Sequence, residues 1–283
     1  MKEKLLEVEQ LSFSYEEGKN TLENVSVVIH EKEKIAVLGE NGAGKSTFFL
    51  NINGVRTPDR GVIRLCGEEI RKKNRNLLRK KVGIVFQDAD NQIIASTVKA
   101  EVAFGPMNMQ LPRDEVEKRT IAAMEEMELM DYASRPPHYL SGGEKKRVSI
   151  ADILAMDAPI IIFDEPTASL DPVNAQLLEE VLARLEQSGK TILLSTHDVD
   201  FAYRFADRIL VFSQGKLIAD SVPQQIFSDD VLLKRANLKK PVMMELCDLL
   251  RKKHLLAEAE TYPRSLPELE KLLGSDSDVT SNH

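Results

Sequence analysis

The stretch Gly39-Glu40-Asn41-Gly42-Ala43-Gly44-Lys45-Ser46-Thr47 constrains this chain more than any other. It lies between the apolar run Ile35–Leu38 and the apolar triplet Phe48-Phe49-Leu50. That order predicts a buried strand, a glycine-rich loop and a helix in immediate succession. Glycines tolerate the backbone angles that turn successive N–H groups inward, and a helix N-terminus adds its partial positive charge. Such a loop is built to cradle an anion, and the spacing is the P-loop pattern in full.

Further short apolar runs recur at Val82–Phe86, Ile160–Phe163, Thr191–Ser195 and Ile209–Phe212, each with the length and β-branched content of a buried strand. Amphipathic stretches alternate with them, Val116–Met130 and Asn174–Gln187 among them. Alternating strands and helices imply an α/β fold with a mostly parallel sheet. Leu5–Val8, Val25–Ile29 and Val62–Leu65 read instead as an N-terminal antiparallel β layer. Residues 99–157 are mainly helical in period and form an inserted helical subdomain. We place the main domain at 1–238 and a C-terminal helical extension at 239–283, with Met243–Leu256 amphipathic and the polar end from Gly274 frayed. A length of 283 residues suits one domain with such an appendage, and two cysteines exclude a disulfide framework. The net charge of −7 argues against bulk nucleic-acid binding. No apolar run approaches the ~20 residues of a membrane-crossing helix, and Met1-Lys2-Glu3-Lys4 does not begin a signal peptide.

Ile160–Phe163 ends in Asp164 and Glu165. Behind a P-loop, the first carboxylate is the one expected to hold Mg²⁺ and the second is placed to deprotonate an attacking water. Lys45 is expected to reach the β- and γ-phosphates, with Ser46 as a Mg²⁺ ligand. Leu140-Ser141-Gly142-Gly143-Glu144 precedes a helical stretch, Lys145–Met156, with Ser141 as a candidate N-cap.

Taken together these motifs resemble the ATP-binding cassette (ABC) ATPases over about residues 4–235. Leu140–Glu144 looks like the family's signature, except that Glu144 stands where Gln is common. Gln87 looks like the Q-loop residue, Ser169-Leu170-Asp171 the D-loop and His197 the switch histidine. Tyr15 lies where the family stacks an aromatic on adenine. The resemblance implies ATP and Mg²⁺ as ligands. It implies Asn41, Gly42, Ala43, Gly44, Lys45, Ser46 and Thr47, with Gly39 before them, around the phosphates, and Ser46, Gln87 and Asp164 around the metal. Glu165, His197, Gln87 and Lys45 carry the hydrolysis. Ser141, Gly142 and Gly143 complete the site of a second ATPase subunit, which implies a homo- or heterodimer.

The segment Gln87–Ile94, then Val102-Ala103-Phe104-Gly105-Pro106-Met107-Asn108, is similar to the ATPases of energy-coupling factor (ECF) importers, above all the cobalt type. That likeness implies a peripheral subunit on the cytoplasmic face of the membrane. Its partners are a transmembrane coupling subunit and a substrate-binding membrane subunit, and its cargo is a micronutrient, cobalt before nickel or a B vitamin. Residues 88–108 are the expected docking face, with Asp88, Asp90 and Glu101 available to basic groups. The competing reading is a soluble ABC ATPase acting on nucleic acid, and the acidic balance disfavours it. The basic run Arg71–Arg75, continuing to Arg79–Lys81, reads as a solvated connector. Met124, Met127 and Met130 read as packing for the helical subdomain.

Overall fold

The computed structural model describes residues 2–16, 19–167, 172–257 and 261–275. Ser169-Leu170-Asp171 and the tail from 276 onward lie outside the described residues. Two long antiparallel strands open the chain, β1 (Lys4–Glu16) and β2 (Lys19–His30). β3 (Lys34–Leu38) enters a second sheet and leads through the glycine loop into α1 (Lys45–Ile52). The chain then returns for β4 (Arg60–Leu65) and β5 (Glu68–Glu69), so the first sheet has the order β2-β1-β4-β5.

After a short helix, α2 (Asn76–Lys81), comes β6 (Val82–Val85). The helical layer follows as α3 (Val98–Asn108), α4 (Arg113–Glu126) and α5 (Gly142–Met156). Then β7 (Ile160–Phe163), α6 (Pro172–Gln187), β8 (Thr191–Ser195), α7 (Val199–Phe205), β9 (Arg208–Ser213) and β10 (Lys216–Ser221) complete the second sheet. Its order is β10-β9-β3-β8-β7-β6, and all but β10 run parallel. β6, β7 and β8 are buried along their whole length, which is why they read as unbroken apolar runs. In an open parallel sheet the loops at the carboxyl ends of neighbouring strands gather on one edge. That edge receives the residues after β3, β6, β7 and β8.

The C-terminal part adds α8 (Pro223–Ser228), α9 (Asp230–Ala236), α10 (Val242–Lys252) and α11 (Leu266–Ser275). It folds back on its own cassette. The Asp200 carboxylate accepts from the Val242 N–H at 2.7 Å, Tyr203 donates to the Tyr262 carbonyl at 3.2 Å, and Arg264 donates to the Ala206 carbonyl at 2.8 Å.

Several sequence expectations change. α10 stops at Lys252 rather than Leu256, because His254 takes a left-handed φ of 58°. α4 ends at Glu126, so Met124 and Met127 are buried but Met130 falls beyond the helix and is 46% exposed. The basic run is partly helical, as α2. Glu101 is not a surface acid: it is 1% exposed and accepts from the Ile94 and Ala95 N–H groups at 2.9 and 2.6 Å.

A groove of about 520 Å³ separates the parallel sheet from the helical layer, lined by Val55, Ile84, Phe104, Met109 and Met156 with Asp152 on its wall. Asp152 is 8% exposed, and its carboxylate accepts from Gln92 Nε2 at 3.1 Å. Burial pushes this carboxyl up to about 7; the Gln92 hydrogen bond opposes the rise and the Glu101 charge adds to it. An acid raised in the folded state is a stabilising proton site below its unfolded pKa, and that stability is lost as pH rises toward the folded value. Asp152→Asn, which mimics the protonated form, should therefore stabilise the chain by ~1–3 kcal/mol at pH 8 and hardly at all at pH 4. Denaturant melts at both pH values check this, and an equal offset at the two would count against it.

Candidate active site

The loop after β3 holds its shape through left-handed glycines. Gly39 has a φ of +144°, and a Cβ there would stand 2.2 Å from the Phe212 carbonyl oxygen, so no other residue fits. Gly44, at φ +104°, is the N-cap of α1, whose first turn carries no acidic residue and no side-chain cap. Its N–H groups are left to face a ligand. Residues 41–47, with Thr21, Gln87 and Glu165, line a pocket of about 150 Å³. Ser46 is exposed at the loop, while Lys45 is buried. The Lys45 ammonium donates to the Gly39 and Glu40 carbonyls at 2.7 and 3.2 Å and lies 3.7 Å from Glu165 Oε1. Burial lowers its pKa, and the charges of Glu165 and Asp164 oppose that.

β7 delivers Asp164 and Glu165 to the same edge, both buried. A buried hydroxyl organises them. Ser195, the last residue of β8, donates to Asp164 Oδ1 at 2.6 Å and accepts from the Glu165 N–H at 2.8 Å. Glu165 itself adopts a φ of +46°, an uncommon conformation for a side-chain-bearing residue. His197 Nε2 lies 2.9 Å from Glu165 Oε1, at ion-pair distance, yet that oxygen is buried without an aligned hydrogen-bond donor. Burial raises the Glu165 carboxyl above the usual range, while His197 and Lys45 pull it down and Asp164 pushes it up. A carboxylate raised by burial, with one buried oxygen lacking an aligned donor beside the glycine-loop pocket, has the character of a proton acceptor.

Gln87, exposed after β6, lines the pocket with the loop residues. Ser141, Gly142 and Gly143 do not line it; they begin α5 elsewhere on the surface. There Glu144 closes a capping box: its carboxylate accepts from the Ser141 N–H at 2.7 Å, and the Glu144 N–H donates to Ser141 Oγ at 3.3 Å. The Ser141 N–H and the Ser141 hydroxyl, which also donates to this carboxylate at 2.7 Å, hold the Glu144 carboxyl below its usual range and give the acid at the unusual position a structural task. Tyr15 is 51% exposed, with its hydroxyl 3.4 Å from Thr47 Oγ1 and the Arg56 guanidinium 5.2 Å over its ring. It stands beside the loop but outside the pocket lining.

Sequence reasoning named Asp164, Glu165, His197, Gln87 and Lys45 but missed Ser195. The available signal was a hydroxyl closing the strand Thr191–Ser195 after three apolar residues, two positions before His197.

A P-loop, a carboxylate pair on a nearby strand and a helical layer whose last helix, α5, begins with two glycines define an ATPase cassette. The sequence profile of the ABC transporter family matches residues 22–168. The energy-coupling factor transporter ATP-binding protein EcfA of Methanothermobacter thermautotrophicus is 42% identical over 276 residues, covering 96% of this chain and 89% of that protein. EcfA of Methanocaldococcus jannaschii is 43% identical over 251 residues, covering 88% and 90%. Among solved structures, cbiO1 from Clostridium perfringens, described as part of the ABC transporter complex cbiONQ, has a TM-score of 0.71 and 36% identity, covering 88% of this chain and 99% of that one. A dimeric ATP-binding cassette in a post-hydrolysis state with ADP and Pi gives 0.70 and 29%, covering 77% and 99%. The chain belongs to the ATP-binding proteins of ECF-type ABC transporters, and it is an ATPase.

Ser195→Ala leaves Asp164 and the Glu165 N–H without their shared partner. It should lower ATP turnover ~10-fold or more with ATP affinity within ~3-fold of the parent. Steady-state turnover beside equilibrium nucleotide binding checks this, and unchanged turnover would remove the role given to that hydroxyl.

Proposed function

We propose that this ATPase powers import of a micronutrient, with cobalt ion as the cargo, by cycling between separated and ATP-closed dimers beneath a membrane partner. The observation that carries the hydrolytic part is Glu165 Oε1, buried, without an aligned donor and beside the phosphate pocket. In this reading Lys45 and the main chain of residues 41–47 hold the phosphates, with the Ala43 N–H given instead to the Glu40 carbonyl within the turn. Glu165 accepts the proton of the attacking water, and His197, close against that carboxylate, contacts the γ-phosphate. The donor set of Ser46 hydroxyl, Gln87 amide and Asp164 carboxylate consists of hard oxygens and suits Mg²⁺, which takes few protein ligands besides substrate phosphates. Bound there, Mg²⁺ supplies neutralisation of phosphate charge. Ser195 fixes Asp164 Oδ1 and with it the direction in which the carboxylate is presented.

Ser141, Gly142 and Gly143 lie away from their own chain's pocket, and an α5 N-terminus with glycine N–H groups suits the phosphates of a second subunit. Tyr15, exposed at the loop, is assigned to the adenine. We assign residues 1–238 to the cassette and 239–283 to an extension. No helix among the described residues is long and apolar enough to cross a membrane. Transport therefore rests on a transmembrane coupling subunit and a substrate-binding membrane subunit, with this chain peripheral on the cytoplasmic face. The groove beside Phe104, with Arg79 and Lys80 on its wall, is the docking place we assign to the coupling subunit. Asp88 and Asp90 are exposed near it. Cobalt is preferred over nickel or a B vitamin because residues 87–108 resemble the cobalt-type ATPases.

Glu165→Gln should lower ATP hydrolysis on the order of 10²-fold while ATP still binds. It should also accumulate as an ATP-held dimer by light scattering; parental turnover in this variant would remove the assigned base. Purification from membranes should recover the chain with an integral membrane partner and ATP-dependent cobalt uptake in vesicles. Recovery with nucleic acid alone would end the transport reading.

A further inference from the structure

α5 holds the segment after β6 at three levels. At the first, Lys146, 5% exposed, points inward and donates to the Phe86 and Gln87 carbonyls at 2.7 and 3.2 Å. At the second, the adjacent Lys145 points outward and pairs with Asp90 at 2.7 Å. One turn further along, the Ser149 carbonyl and the Asp152 carboxylate accept from Gln92 Nε2 at 2.8 and 3.1 Å, while Gln92 Oε1 accepts from the Phe86 N–H at 3.2 Å. Both polar groups of the Phe86 main chain are thereby tied to the helical layer: the N–H through Gln92 and the C=O through Lys146.

Lysine is an expensive residue to bury, and an ammonium held by main-chain carbonyls gives up strong hydration. Filling space beneath α5 would need no charge. An ammonium brings multiple donors to one point, and here it reaches two successive carbonyls across the junction between the sheet and the helical layer. The second of those carbonyls belongs to Gln87 itself, a residue that lines the phosphate pocket. α5 begins, one turn before Lys146, at Ser141–Gly143. A rigid helix with its tip at one nucleotide and its second turn on the Gln87 main chain is a lever between two sites.

We propose that Lys146 is a positioning residue for Gln87: together with Gln92 it clamps the Phe86–Gln87 main chain to α5, so that displacement of the helical layer sets where the Gln87 side chain stands. This rests on the reading of Gln87 as a residue of the nucleotide site. Lys146 does not line the phosphate pocket; its ammonium hydrogen-bonds main-chain carbonyls, and the charges of Asp164 and Asp88 oppose the lowering of its pKa by burial.

The test is a double-mutant cycle on the full-length chain, with turnover, the Michaelis constant for ATP and thermal unfolding measured for each variant. Lys146→Met keeps the length and removes the donors. It should lower kcat ~10-fold with KM for ATP within ~2-fold, and Lys146→Arg, which keeps donors, should recover most of the loss. Added to Gln87→Ala, Lys146→Met should cost less than ~2-fold more, since its target is already gone. Parental kcat in Lys146→Met, or a loss that multiplies in full on Gln87→Ala, overturns the clamp while leaving the site reading intact. Parental turnover in Gln87→Ala overturns the site reading and the clamp with it. Should Lys146→Met fail to fold, Gln92→Leu removes the other hold on the same main chain. It must show the same loss and the same lack of additivity with Gln87→Ala, and full additivity there also overturns the proposal.

Discussion

Two neighbouring carboxylates repel each other, and in this protein one buried hydroxyl reconciles them with the strand edge. Ser195 ties β8 to the end of β7 by donating to Asp164 and accepting from the Glu165 N–H. Because β8 lies between β3 and β7, the same strand also aligns the carboxylates with the phosphate loop. Parallel strands ending at one level supply the rough convergence. The hydroxyl supplies the final register, to the scale of a hydrogen bond. Glu165 can then hold an unfavourable φ, because its N–H is anchored and its side chain is packed against Lys45 and His197.

The helical layer depends on a second set of polar ties, and most of these reach the chain just after β6. Glu101 caps the turn at Ile94–Ala95, Gln92 bridges the Phe86 N–H and Asp152, and Lys146 takes two carbonyls. These part-buried ties join α5 to the chain leaving β6, so the helical layer and the carboxyl end of that strand are linked through main-chain groups. The groove at the junction consequently has a wall whose charge depends on Asp152 protonation near neutral pH.

How much of this was legible in the sequence follows from what each residue type usually does. The strands were readable because β6, β7 and β8 are buried on both faces and so carry no polar alternation. The loop was readable because Gly39 admits no side chain against Phe212. Helix ends were not: Glu128 and His254 take left-handed angles that glycine or asparagine normally announces, so α4 and α10 stop without a marker. Glu101 was read by type, and charged types are expected outside; Lys146 lay unremarked in the helical stretch Lys145–Met156 for the same reason. Only the fold reveals that each meets main-chain groups that the turn leaves unpaired. Ser195 closes an apolar strand and looks like its terminus rather than a link between two acids.

The seat of Gly39 against the Phe212 carbonyl has a consequence for recognition. With β9 as a backstop at 2.2 Å from where a Cβ would stand, the loop cannot fall back toward the sheet. Within the loop the Ala43 N–H donates to the Glu40 carbonyl at 3.1 Å, which fixes the turn further. A loop held this way loses little to ordering when a ligand arrives, whatever that ligand is. Selectivity at this point comes from shape that exists before the encounter.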